Sequence, residues 1–466
     1  MRAERWLAIL PRGTCRNRVL KKKTVAYIQP AAASSNHHWF AMTCSSVVRP
    51  SCRVFCLLFW GLMVSVAVQP TRGGDWSQIL GPHRNGVAVG EKLAATWPQG
   101  GPREKWTYKL GQGYAGPAVV GKRVIVFHRV GNVERVEAID ATSGQQVWKR
   151  DFDATYGGGV NSDTGPRCVP LVHQGRVYVY GASGDLHCVS LQDGQPIWSR
   201  ETYRDYQGDE GYFGAGTTPI AIGNHLIVNV GGRKQAGIVA FALKDGKSVW
   251  LQDGERASYA SPTKATINGR DYAVFVTRLN ALAIDAQTGK LLFRFPFGQR
   301  GPTVNAATPL IVDGNKLFVS SSYGVGANFS ELTATGAKPI WANDETLSSQ
   351  YTTAVYDQGY FYGTHGREDI GAVELRCVEA ATGRVQWSTT NGGVAHVILA
   401  DGKLVILRAD GRLVLATATP EKFERLASAT VGNGVTRAIP ALSNGHLYLR
   451  DGQGAGGTLY CFDLGK

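Results

Sequence analysis

No H-E-x-x-H, G-x-S-x-G or C-x-x-C occurs among the 466 residues. Their absence removes the helix-borne zinc site, the strained serine elbow and the paired-thiol redox or zinc motif. Charged residues are scarce, at 18%. The apolar run VFCLLFWGLMVSVAV, Val54 to Val68, falls short of the roughly 20 residues that a helix needs to cross a bilayer. Acid is nearly missing up to Gly74, where Glu4 stands against eleven Lys and Arg. That stretch carries +10 of the formal +14 and leaves about +4 for the rest of the chain. The basic balance therefore belongs to a leader, and no nucleic-acid partner is expected.

The leader has the layout of an export signal. Arg49 and Arg53 precede the apolar run, and Ser65-Val66-Ala67 offers a small-residue cleavage site. A signal of ordinary length would begin at Met42, which makes residues 1–41 an over-extended start. Cys56 follows Arg53-Val54-Phe55, a context unlike a lipid-anchor signal. The expectation is a periplasmic or secreted monomer with no transmembrane span in the mature chain; the alternative is anchoring by an uncleaved signal helix. The chain divides into a leader (1–74), a lead-in segment (75–104) and a repeat region (105–466).

What the sequence has in abundance is glycine, 58 residues, and aromatics at 10%, a composition that favours turn-rich β structure. The stretch AIDATSGQQVW (Ala138 to Trp148) returns as VSLQDGQPIW, AFALKDGKSVW, AIDAQTGKLLF, LTATGAKPIW, VEAATGRVQW and, worn, ATATPEKF. Before each copy stand two alternating apolar runs joined by a Gly or Asn-Gly turn, as in GPAVVGKRVIVF, and eight such hairpins can be counted. Trp106, Trp148, Trp198, Trp250, Phe293, Trp341, Trp387 and Phe423 lie 36 to 52 residues apart, averaging about 45, the spacing of a four-stranded propeller blade. The last repeat stops at YCFDLGK without its aromatic strand, and KWTYKL around Trp106 has no hairpin of its own. Joining them gives an all-β, eight-bladed β-propeller of four-stranded antiparallel blades, closed by pairing of N- and C-terminal strands. Within the repeat, Asp140, Asp285, Glu379 and Asp463 are expected to accept backbone N–H bonds across the turn. Gly144, Gly289 and Gly383 supply positive φ, and the aromatic packs between blades.

Other matches fail on context. GQGYAG (Gly111 to Gly116) and GQGAGG (Gly452 to Gly457) run into strands, and GKS at Gly246 to Ser248 is a blade turn. Cys188, Cys377 and Cys461 occupy one repeat position in three blades, too far apart for disulfides. Cys168 and Cys188 sit on non-neighbouring strands of one blade. All four are expected as buried thiols.

The repeat A-x-D-x-x-T-G-x-x-x-W resembles that of pyrroloquinoline-quinone-type propellers, shared by quinoprotein alcohol dehydrogenases and the outer-membrane-protein assembly lipoprotein. DWSQILGPHRNGV (Asp75 to Val87) and TWPQGGPREKW (Thr96 to Trp106) also resemble the lead-in of exported quinone-repeat proteins, which usually have Arg where this chain has Leu80. For the dehydrogenases the resemblance implies pyrroloquinoline quinone (PQQ), a Ca²⁺ ion, a carboxylate base and an adjacent Cys-Cys ring over the quinone. No Cys-Cys pair occurs here, so neither catalytic nor metal residues are assigned and no cofactor is expected. PQQ with calcium is the alternative.

Function in such a ring belongs to the loops leading into the innermost strands. The candidates there are Tyr114, Asp163, Arg167, Tyr259, Asn305, Gln350, Tyr351, His396 and Arg437. Aromatic faces, two guanidinium forks and carbonyl acceptors suit a planar anion or an extended peptide. A second cluster, THGRED, places His365, Arg367, Glu368 and Asp369 in one hairpin loop of blade six, a possible metal or proton-transfer group. Three functions follow: an exported non-catalytic scaffold holding a protein, peptide or small ligand at the channel mouth or blade edges; a PQQ-dependent alcohol dehydrogenase; or an outer-membrane-protein assembly factor. Trp76, Trp97 and the mouth tyrosines keep a polysaccharide-binding reading open. The sequence does not decide whether Asp75 to Gly100 plugs the channel or straps the outside.

Overall fold

The computed structural model describes residues 74–208, 211–232, 237–390, 392–452 and 456–465; the leader with its export signal lies outside them. Its strands assort into eight four-stranded antiparallel sheets. Blade one comprises Ala118–Val120, Arg123–Val130, Val133–Asp140 and Gln146–Asp153, and six further blades repeat that order. Blade eight joins Ala441–Ser443, His446–Gly452 and Gly457–Asp463 to Arg103–Leu110. Arg103 pairs with Asp463 and Leu110 with Gly457, so the N-terminal strand supplies the missing outer strand.

First strands of neighbouring blades touch one another, as Ala118–Val120 does with Leu171–His173 and Ala441–Ser443. They therefore line the axis, and fourth strands form the rim. Second and third strands such as Arg176–Tyr180 and Arg412–Thr417 are buried nearly throughout, because a neighbouring blade covers each face. Rim strands such as Gln146–Asp153 keep the alternation of a half-covered sheet. The core is the set of apolar layers between blades, for example Phe127 and Trp148 of blade one against Val172 and Val177 of blade two.

The recurring motif turns out to be a docking device between blades. Trp106, Trp148, Trp198, Trp250 and Trp341 each donate the indole N–H to a turn carbonyl of the next blade, at 2.7–3.2 Å. The same rings lie on the turn glycine: a Cβ on Gly144, Gly194, Gly246 or Gly289 would come within 2.5–2.7 Å of the ring. Those glycines also hold φ near +70°, so the position excludes a side chain twice over. Asp140 Oδ1 accepts the N–H of Thr142 and Ser143, at 3.1 and 2.9 Å, and those bonds hold its carboxyl below the usual carboxylate range. Asp285 does the same with Gln287 and Thr288, and Asp463 with Gly465. Glu379 departs from the expectation: its carboxylate takes the Thr382 hydroxyl and pairs with Arg384. Its extra methylene carries the oxygens beyond the turn N–H groups.

Two glycines separate the contributions of strain and contact. Gly289 has φ +73° beneath Trp250, whereas Gly269 has φ +74° with no atom within 4 Å of where a Cβ would stand. Gly269→Ala should cost about 1 kcal/mol, the effect of left-handed backbone alone. Gly289→Ala should cost about 2–4 kcal/mol, because the ring must also move. Urea unfolding of the two variants checks this; equal losses would remove the docking argument.

The lead-in segment plugs the axis. Trp76 exchanges backbone bonds of 2.7 and 2.8 Å with Val119 on the innermost strand of blade one, and Ser77 accepts the N–H of Val172 in blade two. The Arg84 guanidinium donates to the carbonyls of Thr218, Pro219 and Pro262, beside the inner strands of blades three and four. Gly86 and Ala88 then bond Leu399 of blade seven, and the Glu91 carboxylate accepts the N–H of Asn444 and Gly445 in blade eight. Leu80, where the resembling proteins have Arg, is buried against Val169 and Ile439. All four described cysteines are buried free thiols.

Candidate functional site at the channel mouth

Counting strands fixes which loops share a face. Each blade runs in, out, in and out along the axis, so the loops entering first strands and those joining second to third strands end on the same side. The two clusters read separately in the sequence therefore meet. Tyr114, Arg167, Tyr259, Gln350, Tyr351, His396 and Arg437 line one cavity of about 380 Å³, together with Glu368 and Asp369 of the blade-six hairpin. Ile79 of the plug, with Val169 and Ile439, lies in the same lining. The plug, bonded to first strands on both sides of the axis, thus contributes to the floor of the pocket.

Sequence reasoning missed Ile79, Phe213 and Tyr323 in this lining. Phe213 sits against Tyr259, ring centres 5.4 Å apart, and its loop is held by the Tyr259 hydroxyl, which accepts the N–H of Tyr212 and Phe213 at 3.1 and 2.8 Å. Burial pushes the Tyr259 phenol up to about 12. The sequence signal for Phe213 was available, since it precedes the first strand of blade three as Tyr259 precedes that of blade four.

The charges of the mouth are already matched. Arg437 donates to Glu368 at 3.0 Å, and the Tyr351 hydroxyl donates to the same carboxylate at 3.3 Å. Burial and that carboxylate raise the Tyr351 phenol well above its ordinary range. Arg367 pairs with Asp369 and lies 4.4 Å over the Tyr323 ring. Arg167 donates to the carbonyls of Gly165 and Asp163 and stands 5.6 Å over the Tyr114 ring. Aromatic walls, an apolar floor and a rim of paired ions result.

Four expectations about side chains need correction. Asp163 is buried outside the cavity lining, where its carboxylate accepts the N–H of Gly113 and Gly165 at 3.0 and 2.9 Å. Asn305 is likewise committed to the loop, donating to the carbonyls of Thr277 and Phe297 at 2.8 and 3.1 Å. Both short polar side chains satisfy turns and reach no further. His365 lies outside the cavity lining, cross-strand from Glu374, and accepts the Ser348 N–H at 3.1 Å; burial and Arg376 lower its pKa. Trp76 is buried in the plug and offers no sugar-stacking face, while Trp97, half-buried, packs on the core.

His396 donates its Nε2–H to the Arg437 carbonyl at 2.9 Å, and burial lowers its pKa to about 4. The folded value lies below the unfolded one, so acid protonates the unfolded chain first. The contribution to stability is complete above about pH 6.5 and drains as the pH falls to about 4, a loss of about 3 kcal/mol. Buried Glu134, raised to about 7, works in the opposite direction, so the wild type minus variant difference isolates the histidine. His396→Gln keeps a donor for the carbonyl and should reduce the acid loss by that amount, read from urea midpoints between pH 7 and 4.

Among the described residues, no group of three or more His, Cys, Asp or Glu could hold a metal ion. The two carboxylates of the mouth, Glu368 and Asp369, are committed to guanidinium groups. That donor set does not fit a Ca²⁺ ion, which wants six to eight free oxygens.

Residues 132–389, more than half of the chain, match the family model described as outer membrane protein assembly factor BamB. The outer membrane protein assembly factor BamB of Burkholderia pseudomallei is 26% identical over 363 residues, covering 66% of this chain and 86% of the relative. Among solved structures, the quinohemoprotein alcohol dehydrogenase from Comamonas testosteroni superposes with a TM-score of 0.65 at 16% identity, covering 84% of this chain and 81% of that one. BamB from Moraxella catarrhalis does so with a TM-score of 0.57 at 16% identity, covering 78% and 100%. At such identities the structural likeness concerns the fold.

Proposed function

The chain belongs to the outer membrane protein assembly factor BamB family, and from that premise we propose that it is an exported, non-catalytic scaffold that holds an extended polypeptide of a partner protein in its channel mouth. The observation that carries this reading is the mouth pocket, walled by Tyr114, Phe213, Tyr259, Tyr323 and Tyr351 above an apolar floor. Such walls take up an apolar or aromatic side chain, and the loop carbonyls and amides around them take up its backbone. Both carboxylates at the rim are engaged by guanidinium groups, Glu368 by Arg437 and Asp369 by Arg367, which favours a binding surface over an acid–base site. The relatives' names point to protein assembly, and the partner of this chain is accordingly an exported polypeptide.

The second reading, a PQQ-dependent dehydrogenase, is supported by the shared ring and opposed by the committed carboxylates and the missing Cys-Cys pair. The mature chain from Gly74 onward tests both. A labelled Gly-Phe-Gly-Tyr-Gly peptide should bind saturably by fluorescence anisotropy, and Tyr351→Ala should weaken it by about tenfold. A saturable rise in Tm with PQQ and Ca²⁺, together with dye reduction by simple alcohols, would establish the dehydrogenase instead.

A further inference from the structure

The contact between Glu368 and the mouth has the form of a ligand held in its site. The Arg437 guanidinium and the Tyr351 hydroxyl converge on one oxygen, Glu368 Oε2, at 3.0 and 3.3 Å. A cation and a hydroxyl aimed at the same oxygen make a receptor for a carboxylate, bound by charge-assisted hydrogen bonds. All three residues line the channel mouth beside its aromatic walls, so a carboxylate received there lies next to the group that the walls take up.

The two halves of this contact are held differently. The receptor is fixed: the Arg437 carbonyl accepts the His396 Nε2–H at 2.9 Å, the neighbouring Thr436 N–H bonds the Ala409 carbonyl at 3.0 Å, and the Tyr351 ring lies 6.2 Å from that of His396. Glu368 instead opens a single 3₁₀ turn, Glu368–Ile370, at the tip of the blade-six hairpin, beyond the paired Arg367 and Ala372. Gln350 holds that tip through the Glu368 N–H, at 2.8 Å, a backbone bond that leaves the side chain free to turn. The ion pair is 37% exposed at each side chain, and pairs of that kind are weakly held. There is also room for the displaced group, because Glu368 lines an adjoining cavity of about 280 Å³ with Arg408 on its wall. The carboxylate can therefore leave Arg437 without any movement of the hairpin backbone.

We propose that Arg437 and Tyr351 form a binding site for a carboxylate of the mouth's occupant, and that Glu368 fills this site in cis until the occupant displaces it. The proposal rests on the scaffold reading above and deepens it. The occupant presents an apolar or aromatic side chain to the walls and, beside it, a carboxylate, which is either the chain terminus or an Asp or Glu side chain. Glu368, tethered next to the site, acts as a competitor at high effective concentration. Exchange keeps the guanidinium paired before and after, so neither state leaves the cation bare.

The test compares three labelled peptides on the mature chain: Gly-Phe-Gly-Tyr as the free acid, the same peptide as its C-terminal amide, and Gly-Phe-Glu-Tyr amide. The readout is the ratio of affinities, a carboxylate-bearing peptide over the neutral amide. In the wild type the ratio should be about threefold, and Glu368→Gln, which removes the competing carboxylate, should raise it about tenfold further. Arg437→Met should bring it to about one. Tyr351→Phe, which deletes the hydroxyl without changing any charge, should lower it about threefold, a loss that long-range attraction alone would not produce. A gain confined to the free acid assigns the site to a chain terminus, and one confined to the Glu peptide assigns it to an acidic side chain; either supports the proposal. If carboxylate and neutral peptides bind alike in Glu368→Gln while Tyr351→Ala weakens both, the carboxylate site falls and the scaffold reading stands. If the ratio is untouched by both Arg437→Met and Tyr351→Phe, the carboxylate binds elsewhere and the proposal falls too. If no peptide binds the wild type or Glu368→Gln, both fall.

Discussion

Removing Tyr460–Lys466 should abolish the cooperative fold of the entire ring. The deleted residues carry Tyr460, Cys461, Phe462 and Leu464, all buried, in an apolar cluster that also contains Trp76 and Leu93 of the plug and residues of blades one, seven and eight. Losing those side chains forfeits roughly 6–10 kcal/mol of burial, as much as the net stability of most domains. The strand also holds both neighbours: His446–Gly452 pairs on one side and Arg103–Leu110 on the other. Without those residues the N-terminal strand keeps only the pairs of Tyr108, Lys109 and Leu110 with Leu459, Thr458 and Gly457, and the rest of two sheet edges is exposed in what was a closed ring. Circular dichroism and a thermal melt of the truncated mature chain read the result. A melt like that of the full chain would mean that closure contributes nothing.

How much of this was legible in the sequence follows from what each contact leaves in the residue pattern. Trp148, Gly194 and their repeats were readable because a docking contact made again and again around the ring forces the same residue types at the same spacing. The closing strand was readable as an arithmetic remainder, one aromatic strand too many at Trp106 and one too few after Tyr460. The path of the plug was not, since Trp76 with Val119 and Gly86 with Leu399 meet through backbone atoms, which any residue carries. Asp163 and Asn305 misled for a related reason: a short polar side chain on a loop looks the same in sequence whether it faces a cavity or satisfies its own turn. The union of the blade-six hairpin with the mouth was open to deduction, since strand parity puts Glu368 on the side of Tyr351.

The plug in turn makes one residue responsible for the shape of the site. Arg84 sits buried at φ +54°, its Nε–H on Gln78 Oε1 at 2.7 Å and its fork on three carbonyls contributed by blades three and four. No carboxylate pairs with it among the described residues, so the oxygens alone stabilise a cation in a dry setting. Arg84→Met fills the volume and supplies no donor, leaving carbonyls that lose their partners at about 1–3 kcal/mol each. The expected result is a fall in stability of about 3–6 kcal/mol, with faster proteolysis within residues 75–101 than within the blades. Peptide affinity at the mouth should fall alongside, because Ile79 lines the pocket and is held from the same turn. Arg84→Lys separates charge from geometry. An ammonium keeps the charge, but it is a compact point that cannot span carbonyls on two blades as a planar fork does, so the lysine variant should recover less than half of the loss. Full recovery would mean that positive charge at the axis suffices and that the fork is not what seats the plug.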